Sequence, residues 1–169
     1  GSMTWRDLES FFKAQGFNEI VGEGNIKVKA KDRHAWGIND AQFFELLKEK
    51  LEDKSVNKPK FIFAMSTGTH PPYKRPDGYI PLPLAIPQQI KGMMSTKDFN
   101  NKAIFELYQF ANIELAKFIS AVKESAFAEN TIIAVTGDHN LRELSNYTTE
   151  DMFVRYAVPL YLYIPPKLK

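Results

Sequence analysis

The sequence predicts an α/β fold, a mostly parallel sheet flanked by helices. Two observations carry the prediction: short apolar runs that stop abruptly at polar, glycine-containing turns, and stretches of helical periodicity long enough to cross over between them. The first run is Phe61-Ile62-Phe63-Ala64-Met65, stopped by Ser66-Thr67-Gly68. The second is Ile132-Ile133-Ala134-Val135, preceded by Asn130 and stopped by Gly137-Asp138-His139. Continuous apolar runs of this length suit central strands covered on both faces. In open α/β sheets the chemistry gathers outside the carboxyl ends of the strands, where His70, Asp138 and His139 are expected to project.

Taken in order, Thr4 and Asp7 have the spacing of a capping box, and Leu8, Phe11 and Phe12 before Gly16 predict a first helix over about residues 5 to 15. Ile26-Lys27-Val28-Lys29 alternates like an exposed strand or hairpin arm. Asn39 is placed to cap a second helix over roughly 40 to 53, whose Phe43, Phe44, Leu46, Leu47 and Leu51 share one face. Lys58-Pro59-Lys60 leads into the first apolar strand. Prolines at 71, 72, 76, 81, 83 and 87 then exclude helix interior and central strand, and predict a long irregular loop of the kind that often carries function. Ile104, Tyr108, Ala111, Leu115, Phe118, Ile119 and Val122 step by three and four, predicting a long amphipathic helix over about 98 to 125 with a core-facing stripe. Residues 156 to 164 read as a last strand, in which Pro159 requires an edge position or the strand's beginning.

At 169 residues the chain is one domain or one piece of a domain. A net charge of +2 from charges spread along the chain gives no case for nucleic-acid binding. The absence of cysteine excludes disulfides, thiolate metal sites and a cysteine-derived nucleophile. No apolar run reaches the ~18 residues of a membrane span, and no signal peptide is visible, so the chain is expected to be soluble. Gly1-Ser2-Met3 reads as an expression remnant, leaving residues 4–169 as the natural portion and the natural start upstream.

An Asp-His pair after a strand has an ordinary reading, in which Asp138 caps the following turn; a single loop histidine such as His70 commonly bonds to backbone. Two strand ends that both deliver metal- or phosphate-competent groups weigh more than either motif, provided the strands lie close in one sheet.

With these segments the chain resembles the alkaline phosphatase superfamily, within it the sulfatase-type branch that contains lipoteichoic acid synthases and phosphoglycerol or phosphoethanolamine transferases. The resemblance runs through Ser66-Thr67-Gly68-Thr69-His70-Pro71-Pro72-Tyr73, Asn130 to His139, Val158-Pro159-Leu160, and Trp36-Gly37-Ile38-Asn39-Asp40 with Phe43-Phe44, in the family's order. It implies a partial alkaline-phosphatase-like (sulfatase) domain in which Asp138 and His139 ligate a divalent cation. One or two such ions are implied, manganese first, with zinc, magnesium or calcium as alternatives. His70 would contact the transferred phosphate or the leaving oxygen. Trp5 and Arg6 would match a tryptophan-arginine pair that holds the substrate phosphate; an arginine on an exposed helix face with a tryptophan packed under it is the other reading of those two residues. The implied substrate is a phospholipid- or glycan-derived phosphate or sulfate ester. The implied parent is membrane-anchored, with its catalytic domain periplasmic or extracellular.

A cation held by carboxylate and imidazole would polarise phosphoryl oxygens and lower the pKa of a hydroxyl nucleophile. A nearby histidine protonating the departing alkoxide contributes about 10²–10⁴-fold. The chain departs from the family pattern in one respect: the nucleophile and an acidic metal ligand lie upstream of everything matched, and Thr67, Thr69 and Thr136 occupy other positions. The resemblance therefore implies the C-terminal portion of a catalytic domain, inactive alone, whose partner is the upstream half of the same domain. The alternative is a self-contained, non-catalytic α/β binding or interaction module. A truncated sheet is expected to leave an open strand edge and a large exposed apolar patch; a self-contained module is expected to show neither.

Overall fold

A computed structural model describes residues 2–27, 29, 33–94, 101–141 and 144–169. The chain divides into two compact units, Gly1–Pro81 with Ala103–Phe118, and Leu82–Lys102 with Ile119–Lys169.

In the first unit the predicted opening helix is a 3-10 turn, Trp5–Asp7, followed by α1, Leu8–Ala14. The capping box does not form. The Thr4 hydroxyl pairs with that of Ser2, and Asp7 sits at φ 54°, where its side chain makes no cap. A two-residue hairpin follows, β1 (Arg33–His34) paired antiparallel with β2 (Gly37–Ile38). The expected hairpin arm just before it lies partly outside the described residues. Helix α2, Asp40–Glu52, starts where the sequence places it, with Asn39 Oδ1 accepting the Gln42 amide at 3.3 Å. Asn39→Ala leaves that amide without its partner and is expected to cost about 1 kcal/mol in chemical denaturation.

The 61–65 segment is extended, yet among the described residues it has no ladder partner and is exposed, Phe61 to 81%. The expected buried strand is thus corrected. Apolar content marks a segment for burial, but a strand needs hydrogen-bonded neighbours on its edges. Its contacts are aromatic, Phe63 on Phe12 at 5.4 Å and Phe61 on Phe17 at 5.9 Å. The best-buried part of this unit lies along α4, Asn101–Lys123, at Ile104, Leu107 and Phe110. Phe44 of α2 stacks on Phe118, and Tyr79 packs edge-on against Phe110 while its hydroxyl donates to Gln109 Oε1 at 2.6 Å. Residues 95–100, part of the expected long helix, lie outside the described residues.

In the second unit the end of the proline loop forms a short helix, α3 (Gln88–Met93), and Met94 bridges Ser145. Strand β3, Ile133–Thr136, pairs with β4, Leu160–Tyr163, in register from Ile133 with Tyr163 to Thr136 with Leu160. That pairing is antiparallel; the described ladders contain no parallel pair. β3 alternates half-buried Ile133 and Val135 with exposed Ala134 and Thr136, so it is one-sided here and not covered on both faces. Pro159 immediately precedes β4, as its missing N–H requires. Residues 152–156, whose last residue opens the stretch predicted as strand, form instead a short helix, α5 (Met152–Tyr156).

Candidate functional site

Asp138 and His139 follow β3 directly, after Gly137, whose Cα faces Val158 and Pro159. A Cβ there would meet the Val158 side chain at 3.6 Å, ordinary contact, so the turn packs closely without strain. The loop beyond is anchored by Asn140, whose side-chain amide donates to Tyr147 Oη at 3.2 Å and to the Val154 carbonyl at 3.3 Å. Both candidate ligands are solvent-facing, their side chains 85% and 64% exposed.

Their geometry combines the two sequence readings. Asp138 Oδ1 accepts the His139 amide at 2.9 Å, which is the turn-capping role. Its other oxygen, Oδ2, lies 3.5 Å from His139 Nε2. His139 Nδ1 is 3.0 Å from the Asn140 carbonyl, which can only accept, so in the neutral imidazole this bond places the proton on Nδ1 and leaves the lone pair on Nε2. A backbone carbonyl fixing the far nitrogen is the usual support of a metal-binding histidine. One carboxylate oxygen and one imidazole nitrogen therefore face each other with their lone pairs available, a fit to two positions of a divalent cation's shell. Among the described residues no group of three or more His, Cys, Asp or Glu side chains could hold a metal ion, so the pair is a partial donor set.

The other candidates belong to the first unit. His70 ends a turn after the 61–65 segment, its amide donating to the Thr67 carbonyl at 3.1 Å. Its ring stacks on Trp36 with centroids 3.7 Å apart, and Nδ1 lies 3.4 Å from the Pro71 carbonyl. The imidazole edge is exposed on an aromatic platform. Arg6 sits over the Trp5 ring at 4.7 Å, and both residues are exposed. Arg6 adopts φ 50°, a left-handed conformation that costs an L-residue about 1–2 kcal/mol. The structure thus pairs Asp138 with His139 and Trp5 with Arg6, and gives His70 a partner, Trp36, that spacing did not reveal.

Sequence reasoning also missed a shallow, open concavity lined by Arg33, His34, Asn39, Lys74, Arg75 and Asp77. Arg33 is fixed by the Ile26 carbonyl at 2.6 Å, and Arg75 pairs with buried Glu106 at 3.2 Å. Desolvation holds the His34 imidazole below its ordinary value, opposed by its bond to the Ile38 carbonyl. The basic doublet Lys74-Arg75 within the proline loop was the available signal.

The sequence model of the sulfatase family matches residues 1–166. Phosphoglycerol transferase I of Citrobacter koseri is 27% identical over 135 residues, covering 76% of this chain and 16% of the relative. The Salmonella arizonae enzyme of the same name is 26% identical over 133 residues, with the same coverage. The chain thus spans about a sixth of the length of these curated relatives. An alkaline phosphatase superfamily protein from Vibrio parahaemolyticus superposes with a TM-score of 0.75 at 21% identity, covering 98% of this chain and 37% of its own. The lipoteichoic acid synthase LtaP from Listeria monocytogenes gives 0.73 at 19%, covering 98% and 42%. With the family match extending over nearly its whole length, the chain belongs to the sulfatase family and has the fold of part of an alkaline-phosphatase-like α/β domain.

Proposed function

We propose that this chain is the C-terminal portion of the catalytic domain of a metal-dependent phosphoryl-group transferase, of the phosphoglycerol transferase or lipoteichoic acid synthase kind. Hydrolysis of a phosphoric ester would be the same transfer with water as acceptor, and hydrolysis of a sulfuric ester its sulfuryl-group counterpart. The observation that carries the proposal is the facing of Asp138 Oδ2 and His139 Nε2, with the imidazole tautomer set by the Asn140 carbonyl. These two residues would hold a divalent cation, manganese or else zinc, magnesium or calcium, together with ligands from the rest of the domain. When bound, such an ion supplies Lewis-acid polarisation of the phosphoryl oxygens and activation of a hydroxyl nucleophile. His70, on its Trp36 platform, would donate a proton to the leaving oxygen, and Arg6 over Trp5 would hold the phosphate by paired N–H donors.

The nucleophile would come from the upstream half of the domain, and the isolated chain would be inactive. Exposure of Phe61, Phe63 and Met65, along a segment that has no ladder partner among the described residues, supports an incomplete sheet over a self-contained binding module. The names of the relatives support a lipid- or glycan-derived phosphate ester as substrate, and with it a membrane-anchored parent working outside the cytoplasm. No helix among the described residues is long and apolar enough to cross a membrane, so the proposed anchor would be a separate segment.

Calorimetric titration with Mn²⁺ tests the ligand roles. The chain is expected to bind the ion weakly, and Asp138→Ala and His139→Ala are each expected to abolish the signal. Equal binding in all three proteins would remove both residues from the metal site. Turnover of a chromogenic phosphodiester is expected only when the upstream half is supplied, and turnover by the chain alone would overturn the placement of the nucleophile.

A further inference from the structure

Asp40 is the first residue of α2 and only 1% exposed. The proposed chemistry makes no use of it, and burying an acid without partners is costly. Neither carboxyl oxygen has a partner at hydrogen-bonding geometry among the described residues. The Ser66 hydroxyl and Gly68 face it from the turn after 61–65, and Glu114 faces it from α4. Gly68 lies so close that a Cβ there would fall 2.6 Å from the Asp40 Cγ and 2.9 Å from Oδ1. The same turn carries His70, whose ring lies on Trp36 just ahead of α2. The turn is thus held at two points, by the Asp40 carboxyl beneath Gly68 and by Trp36 beneath His70.

We propose that Asp40 is a positioning residue for His70: its buried carboxyl, as the neutral acid, seats the 66–70 turn, and ionisation unseats it.

The balance of forces favours the neutral acid. Desolvation raises the carboxyl from 3.8 to about 6, with the charge of Glu114 adding to the rise and Ser66 opposing it. The amides at the start of α2 also favour a charge, by about 0.3–1 kcal/mol, which is smaller than the cost of burying it. A neutral carboxyl can stay beneath Gly68. A buried carboxylate gains by reaching water, since Ser66 and the helix amides do not offset its desolvation, and the turn above it, exposed at Thr69 and His70, is the part that can lift. The inference rests on the phosphate-facing role of His70 only for its effect on turnover. Its test reads the surroundings of His70 in the chain itself, so failure of one reading is distinguishable from failure of the other.

The test is NMR on the chain between pH 4.5 and 7.5. The Asp40 carboxyl carbon is expected to titrate with a midpoint about 6, and the Thr67, Gly68 and Thr69 amides to follow it. In Asp40→Asn, an uncharged mimic of the acid, that amide component is expected to vanish while the nuclear Overhauser contact between the Trp36 and His70 rings persists. In Asp40→Ala that ring contact is expected to be lost. An Asp40 midpoint below pH 5, an amide component that survives in Asp40→Asn, or a ring contact that survives in Asp40→Ala would each overturn the proposal. Should either variant fail to fold, the wild-type titration decides alone: amides of the turn that do not track the Asp40 carboxyl exclude the mechanism.

Discussion

Gly68→Ala is expected to destabilise the unit formed by Gly1–Pro81 and Ala103–Phe118 by about 2–3 kcal/mol, read as a lowered midpoint of urea unfolding. Backbone strain is not the cause. What is missing at Gly68 is space, because the methyl would overlap the carboxyl of Asp40, closest at Oδ2. An overlap with the end of a long, exposed side chain would be relieved at little cost. Asp40 has a short side chain and sits on the first turn of α2, buried, so either the carboxyl turns into its neighbours or the 66–70 turn moves. The partner is identified by a double-mutant cycle: in an Asp40→Ala background the cost of Gly68→Ala should fall by at least ~1 kcal/mol, as expected for residues in direct contact. A cost below about 0.5 kcal/mol in the wild-type background would show that the turn accommodates a side chain freely.

The second large effect is a loss of stability as pH rises through the mildly acidic range. Asp40 binds its proton more tightly in the folded chain, about 6, than the ordinary value of 3.8 that stands for the unfolded chain. Below about pH 4 both states are protonated and the contribution of Asp40 is complete. Between about 4 and about 6 the unfolded state ionises first, so stability falls; above about 6 both are ionised and the loss is full. A shift of this size corresponds to about 3 kcal/mol. Asp53 and Asp151 act in the opposite direction, since the amides of Ser55 and Thr148 hold their carboxyls below the ordinary value, so their contributions grow as pH rises. They are unchanged in Asp40→Asn, and the difference between the two unfolding profiles therefore isolates Asp40. Wild type and Asp40→Asn should diverge progressively from pH 4 to 6.5, with the variant the more stable at neutral pH. Parallel profiles would show that Asp40 has an ordinary affinity for its proton.

The parts of the fold legible in the sequence are those set by nearest neighbours along the chain. Asn39, with Phe44 on the face of α2 that meets Phe118, is enough to specify where α2 begins and which side it buries. The stripe of α4 is equally explicit, with Ile104 and Val122 both buried. Pro159 marks the start of β4 because a missing donor is a local property. What the sequence does not show is partnership between distant segments. The apolar runs at 61–65 and 132–135 read alike, yet among the described residues the second enters a ladder, as β3, and the first does not. The antiparallel pairing of β3 with β4 was hidden for the same reason. At the site, Asp138 and His139 were legible as donors because they adjoin a strand end, while the tautomer of His139 depends on a carbonyl that only the loop's shape brings close. Asp40 reads as an ordinary acid in the first turn of a helix; its distinction comes from Gly68, well downstream. Thr4 and Asp7 show the converse error, a correct local spacing overruled by a left-handed turn at Arg6 and Asp7.

The open edge at 61–65 has a consequence for the chain as a material. Phe61 to Met65 is a five-residue window of aromatic and apolar side chains without proline, glycine or charge, the composition of a segment that stacks into cross-β fibrils. Its protection against self-association comes from its flanks: Lys58, Pro59 and Lys60 on one side, and Gly68, Pro71 and Pro72 on the other. The basic residues and prolines that frame this segment are in the positions of gatekeepers, and replacing them is expected to hasten self-association of the chain through that edge.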